Sequence, residues 1–169
     1  LKRNVGPEVV SSMTAVACAL RKLTAKPLGI QILAGANKEA LAVALATNFD
    51  FIRAEGFVYG HLADEGYLES CAGELLRYRK AIGAEHIAVF TDVKKKHSSH
   101  ALTHDISLAE TVKTADYFLS DGIIITGSST GEAAWIDDVK TAKISSSLPV
   151  IIGSGIDAEN LASYWPYAN

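Results

Sequence analysis

Apolar residues recur along the chain in two alternating patterns. After Gly6-Pro7-Glu8, where a proline and an acid suit a first helical turn, Val9, Val10, Met13, Ala17 and Leu20 return on one helical face. Lys26-Pro27 ends that pattern, because proline disfavours helical geometry in the residue before it. A short apolar run over 28–33 then predicts a strand. Asn37 predicts the cap of a helix reaching about 47, and 49–54 predicts the next strand. Residues 56–70, with their glycines and polar groups, read as a loop. Further on, helices are predicted over 71–82 (closed by Gly83), 107–120 and 135–145, with strands over 86–92, 122–126 and 149–153. Asp157 predicts the cap of a last helix.

Short apolar strands, each followed by a helix, predict a parallel sheet with both faces covered. No linker or low-complexity tract divides the chain, so 1–169 reads as one α/β domain. Two architectures remain open. A flavodoxin-like open sheet needs five parallel strands. A TIM-type (β/α) barrel needs eight strands and about 200 residues or more, so this chain would be its incomplete middle part. The chain starts on a helix and stops at Pro166-Tyr167-Ala168-Asn169, where another strand would be expected, which suits the barrel. A part-barrel has open sheet edges, so poor stability alone or self-association is expected of it.

Composition narrows the function classes. A hydrophobic content of 49% and a charged content of 21% describe a globular chain. A net charge of −3 excludes a strongly basic nucleic-acid binder. Cys18 and Cys71 cannot make a disulfide framework, so a reducing compartment is expected. No apolar stretch approaches the ~18 residues of a membrane span. The expectation is a soluble intracellular protein of the cytoplasm or an organelle matrix, with no targeting segment visible in this chain.

In parallel α/β folds function collects at the carboxyl ends of strands. Gly35-Ala36-Asn37 reads there as a turn and a cap. By alternation Phe51, Arg53 and Glu55 share a face, and Arg53 with Glu55 is either a ligand-binding pair or a structural ion pair. His61, Asp64 and Glu65 lie in the long loop, of which Asp64 is the residue kept as a candidate. Thr91-Asp92-Val93-Lys94-Lys95-Lys96-His97-Ser98 is the densest polar cluster. With the strand continued, Asp92, Lys94 and Lys96 would face one way, as anion-binding lysines beside a carboxylate and His97 fit for proton transfer. The bland alternative is a solvated basic turn. His97, His100 and His104 have zinc-like spacing but lie in a loop without cysteine, and no metal site is assigned. Thr126-Gly127-Ser128-Ser129-Thr130-Gly131-Glu132 and Gly153-Ser154-Gly155 are glycine- and hydroxyl-rich loops that offer N–H groups to a phosphate, although neither is a P-loop. Thr126, Gly127, Thr130, Gly131, Gly153, Ser154 and Gly155 are the candidate ligands there.

Several short motifs stand in one order: Val5-Gly6-Pro7-Glu8, Pro27-Leu28-Gly29-Ile30, Phe51-Ile52-Arg53, Leu75-Leu76-Arg77-Tyr78-Arg79, Asp92-Val93-Lys94-Lys95-Lys96-His97-Ser98, Thr126-Gly127-Ser128-Ser129-Thr130-Gly131-Glu132 and Gly153-Ser154-Gly155. Together they resemble the BtpA family, named for photosystem I biogenesis and including SgcQ-like proteins. The resemblance covers nearly the whole chain. It implies a TIM-type barrel related to ribulose-phosphate-binding barrels, with the five strands as the third to the seventh. Gly153-Ser154-Gly155 would then match the loop after strand seven, one half of the usual phosphate site. Ala63-Asp64-Glu65-Gly66 resembles a polar motif of the family. Bacterial relatives often carry asparagine where this chain has Glu55. No reaction is implied.

The leading reading is therefore a carboxyl-face site for a phosphorylated metabolite or nucleotide. Lys94, Lys96 and the glycine-rich loops hold the anion, and Asp92 with His97 or Asp64 moves protons if there is chemistry. A non-catalytic assembly or biogenesis factor, acting through a protein partner or its own copies, is the second reading. A metal-dependent hydrolase using Asp92 and the histidines is the third. No cofactor is expected.

Overall fold

The computed structural model describes residues 3–169. Helices α1 (Pro7–Arg21), α2 (Asn37–Thr47), α3 (Ala72–Ala81), α4 (Leu108–Tyr117), α5 (Ile136–Ser145) and α6 (Leu161–Tyr164) alternate with strands. The strands are β1 (Gly29–Ile30), β2 (Phe51–Ala54), β3 (His61–Ala63), β4 (Gly66–Leu68), β5 (Ala88–Asp92), β6 (Ser98–Ser99), β7 (Gly122–Ile125) and β8 (Val150–Ile152).

The main sheet runs β1-β2-β5-β7-β8, all neighbours parallel. Spatial order follows chain order without reversal. A right-handed crossover that always steps the same way leaves its helices on one face, so the sheet curls into an arc of a (β/α) barrel. A flavodoxin-like sheet would reverse direction at a switch point, and this one does not.

Alternation sorts the two faces. Ile30, Ile52, Ala54 and Val89 are buried in a cluster with residues of α1, α2 and α3. Ile123, Ile125 and Val150 are buried in a second cluster with residues of α4, α5 and α6. Burial at this density, about 25 cal/mol per Å² of apolar surface, is what holds helices onto the sheet. The inner face carries Phe51 and Phe90, with ring centroids 5.0 Å apart, and Arg53 and Asp92 one step nearer the carboxyl end.

The strands are shorter than their apolar runs, because only the central residues meet a neighbouring strand. The 28–33 run, for example, contributes only Gly29–Ile30. Residues 56–70 are not a plain loop. β3 and β4 form an antiparallel hairpin, with Ala63 opposite Gly66, and β6 pairs with β3 to make a second, three-stranded sheet. Asp157 caps no long helix. Its carboxylate accepts from Glu159 N and Asn160 N at 2.9 Å each and closes a turn ahead of the short α6. Ser107, by contrast, does cap α4, accepting from Glu110 N at 3.1 Å. Ser107→Ala is expected to cost about 1 kcal/mol in urea denaturation, with the m-value unchanged.

Candidate functional site

The carboxyl ends of β2 and β5 hold two ion pairs. Arg53, on the inner face, grips Asp92 with Nε 3.0 Å from Oδ2 and Nη2 2.9 Å from Oδ1. Both carboxylate oxygens are engaged, which is the stronger, bidentate form of this pair. Asp92 is 8% exposed, and burial pushes its carboxyl up from its ordinary value while Arg53 opposes that rise. One residue past β2, Glu55 is 4% exposed and accepts from Lys95 Nζ at 3.2 Å and from Gly35 N at 2.9 Å.

The buried lysine is thus Lys95, which sequence reasoning passed over. β5 stops at Asp92, and the backbone turns at Lys94, whose φ is 45°. The turn breaks the alternation that would have put Asp92, Lys94 and Lys96 on one face. Lys94 Nζ donates to Thr103 O at 3.3 Å, and Lys96 Nζ donates to Ser129 O at 3.4 Å. Asn37 was missed too. It is the first residue of α2, capped by Ala36, and its side chain clamps the Glu55 main chain: Nδ2 donates to Glu55 O at 2.8 Å and Oδ1 accepts from Glu55 N at 3.2 Å.

A second group of residues meets where the hairpin touches the loop after β7. Asp64 N donates to His97 O at 3.3 Å, and His97 Nε2 lies 3.1 Å from Thr130 Oγ1. Asp64 itself is exposed, with its carboxyl held low chiefly by a hydrogen bond with the Glu65 side chain. Thr126 Oγ1 accepts from Lys96 N at 3.4 Å. The loops after β7 and β8 are stitched together by Ser154, whose Oγ accepts from Gly127 N at 3.1 Å and donates to Glu132 O at 3.0 Å. Arg53 Nη1 reaches Gly153 O at 3.5 Å, which joins the inner-face ion pair to this edge. Among the described residues, the main-chain N–H groups of Ser128, Ser129, Thr130 and Gly131 donate to no protein acceptor.

The histidines disperse. His97 meets Thr130, His100 Nε2 lies 3.1 Å from Lys95 O, and His104 Nδ1 lies 3.1 Å from Ala101 O. Among the described residues no group of three or more His, Cys, Asp or Glu side chains is arranged to hold a metal ion. The histidine that sequence reasoning set aside, His61, is the buried one. It is 6% exposed, its ring centroid lies 5.4 Å from that of His100, and burial, aided by the charges of His100 and Lys95, lowers its pKa from 6.5 to about 4. Native His61 therefore binds fewer protons than unfolded His61 between those two values, so its contribution to stability falls as pH drops from 6.5 towards 4. Over that window the wild type is expected to lose more stability than His61→Phe, measured as the difference in urea midpoints.

The comparisons with known proteins cover this same chain. A model of the BtpA family matches residues 1–169. A Caenorhabditis elegans protein named as uncharacterised and mitochondrial is 50% identical over 169 residues, covering 97% of this chain and 61% of that protein. An uncharacterised Archaeoglobus fulgidus protein is 36% identical over 160 residues, covering 95% of this chain and 63% of that protein. The Synechocystis photosystem I biogenesis protein BtpA is 36% identical over 169 residues, covering 99% of this chain and 58% of that protein. The chain thus spans about three fifths of the length of these relatives. Among solved structures, FabK from Thermotoga maritima, a TIM-barrel protein, superposes with a TM-score of 0.61 at 15% identity, covering 95% of this chain and 45% of that one. That likeness speaks for the fold alone.

Proposed function

This chain belongs to the BtpA family, and from that premise we propose that its carboxyl face forms a binding site for a phosphorylated metabolite or nucleotide. The observation that carries the reading is the loop of Ser128, Ser129, Thr130 and Gly131, whose N–H groups have no protein acceptor among the described residues, beside Lys96 and His97. Unpaired main-chain N–H groups beside a lysine ammonium suit a phosphate dianion. Arg53, fixed by Asp92, supplies a further cation, and Gly153, Ser154 and Gly155 form the adjoining wall. Lys94 turns away to Thr103 and has the weaker claim. We assign any proton transfer to Asp92, His97 and Asp64, the first with its raised carboxyl and the other two side by side at the hairpin edge. Glu55 holds Lys95 and thereby the run that carries Lys96.

We read residues 1–169 as one α/β domain, the third to seventh units of a longer barrel. The mitochondrial name of the worm relative supports an organelle matrix as the compartment. No helix among the described residues is long and apolar enough to cross a membrane. The name of the Synechocystis relative favours a second reading, a biogenesis factor acting through protein partners or self-association.

A thermal-shift titration with inorganic phosphate, phosphomonoesters and nucleotides separates the two readings. A ligand at about 100 times its dissociation constant stabilises the native state by about 2.7 kcal/mol. The expected result is a dose-dependent rise with at least one of these anions that Lys96→Ala weakens. No rise with any of them would favour the partner-binding reading.

A further inference from the structure

A small cavity lies behind Asp92, between the hairpin and the loop after β5, and His61, Asp92, Lys95 and His100 line it together with Tyr59 and Thr103. Its volume of about 20 Å³ is above the roughly 10–15 Å³ that one water needs. Two of its lining groups have unused hydrogen-bonding capacity. His61 Nε2 is buried without a partner among the described residues. Burial keeps the imidazole neutral near pH 7, and a neutral ring with its one proton on Nδ1 presents Nε2 as a lone-pair acceptor. Lys95 Nζ carries three N–H bonds, and Glu55 Oε1 takes one of them as its acceptor among the described residues.

We infer that this cavity is a built water site, in which one water accepts from Lys95 Nζ, donates to His61 Nε2 and so ties the hairpin to the buried ion pairs. Chemistry selects the occupant. An anion would satisfy the ammonium but leave the imidazole lone pair facing negative charge. A metal cation would be repelled by Lys94 and Lys95. Water is the smallest neutral molecule that both accepts and donates. The consequence for ligand binding rests on the proposed anion site: with Lys95 held to the hairpin, its neighbours Lys96 and His97 keep their positions against Ser129 and Thr130.

A high-resolution crystal structure of the protein without phosphate is the test. The expected result is one ordered water within about 3.2 Å of both His61 Nε2 and Lys95 Nζ. Ordered side chains with no water between them, or a direct Lys95–His61 contact, would overturn the inference. A second readout is amide hydrogen exchange at Leu62 and Ala63, which pair with β6. His61→Phe is expected to speed it about tenfold, and His61→Gln, which keeps an acceptor, by less. Equal exchange in both variants and the wild type would count against the tie. Neither readout uses a phosphate ligand, so the water site and the anion site fail independently.

Discussion

Replacing Lys95 by methionine is expected to lower stability by about 3–5 kcal/mol, the cost of leaving a buried charge without its partner. Glu55 is 4% exposed and, among the described residues, would retain only Gly35 N as a partner for its carboxylate. Removing the second charge as well, in Lys95→Met/Glu55→Leu, is expected to restore most of the loss, because the desolvation penalty goes with the pair. Lys94→Ala is the control one residue away. Lys94 is half-buried and, among the described residues, donates to a single carbonyl, so its loss is expected to cost about 1 kcal/mol or less. Urea midpoints with constant m-values read all three. Equal effects at 94 and 95 would mean that the run is a solvated turn and that the interior lysine is misassigned.

Gly155→Ala is expected to cost about 3 kcal/mol or more, because two penalties add. Gly155 has a φ of +71°, where a side chain is disfavoured by roughly 1–2 kcal/mol. A Cβ there would also sit 2.2 Å from Ala133 N and 2.3 Å from Glu132 O, which are main-chain atoms that move only with the loop after β7. That loop carries the free N–H groups, so phosphate affinity is expected to fall as well, by about tenfold for every 1.4 kcal/mol of lost binding contact. Gly131→Ala separates the two penalties. Gly131 also has a positive φ, +84°, but nothing lies within 4 Å of a Cβ built on it. Its substitution is expected to cost only the backbone part, about 1–2 kcal/mol.

The main sheet was legible because period-two and period-3.6 patterns need only a few residues to separate, and α1 to α5 lie within a few residues of their expected spans, whereas the helix expected after Asp157 shrinks to the short α6. The hairpin was not. Its strands, His61–Ala63 and Gly66–Leu68, are three residues each, too short for a period, and the turn residues Asp64 and Glu65 look like any polar loop. The site was legible by position and illegible by role. Arg53, Asp92 and the two glycine-rich loops stand at strand ends, where alternation and topology put them. Which lysine goes inside depends on the left-handed turn at Lys94, a non-glycine residue that gives no sign of a positive φ. Asn37 has the side chain of a cap, yet its amide matches both main-chain groups of Glu55, a contact across 18 residues that no local pattern encodes.

The proposed anion site is tested most directly by following the backbone amides of ¹⁵N-labelled protein as a phosphomonoester is added. The expected result is a saturable shift of the Ser128, Ser129, Thr130 and Gly131 amides, together with those of Lys96 and His97, at one common dissociation constant. Shifts that never saturate, or that gather elsewhere while these amides stay still, would contradict it.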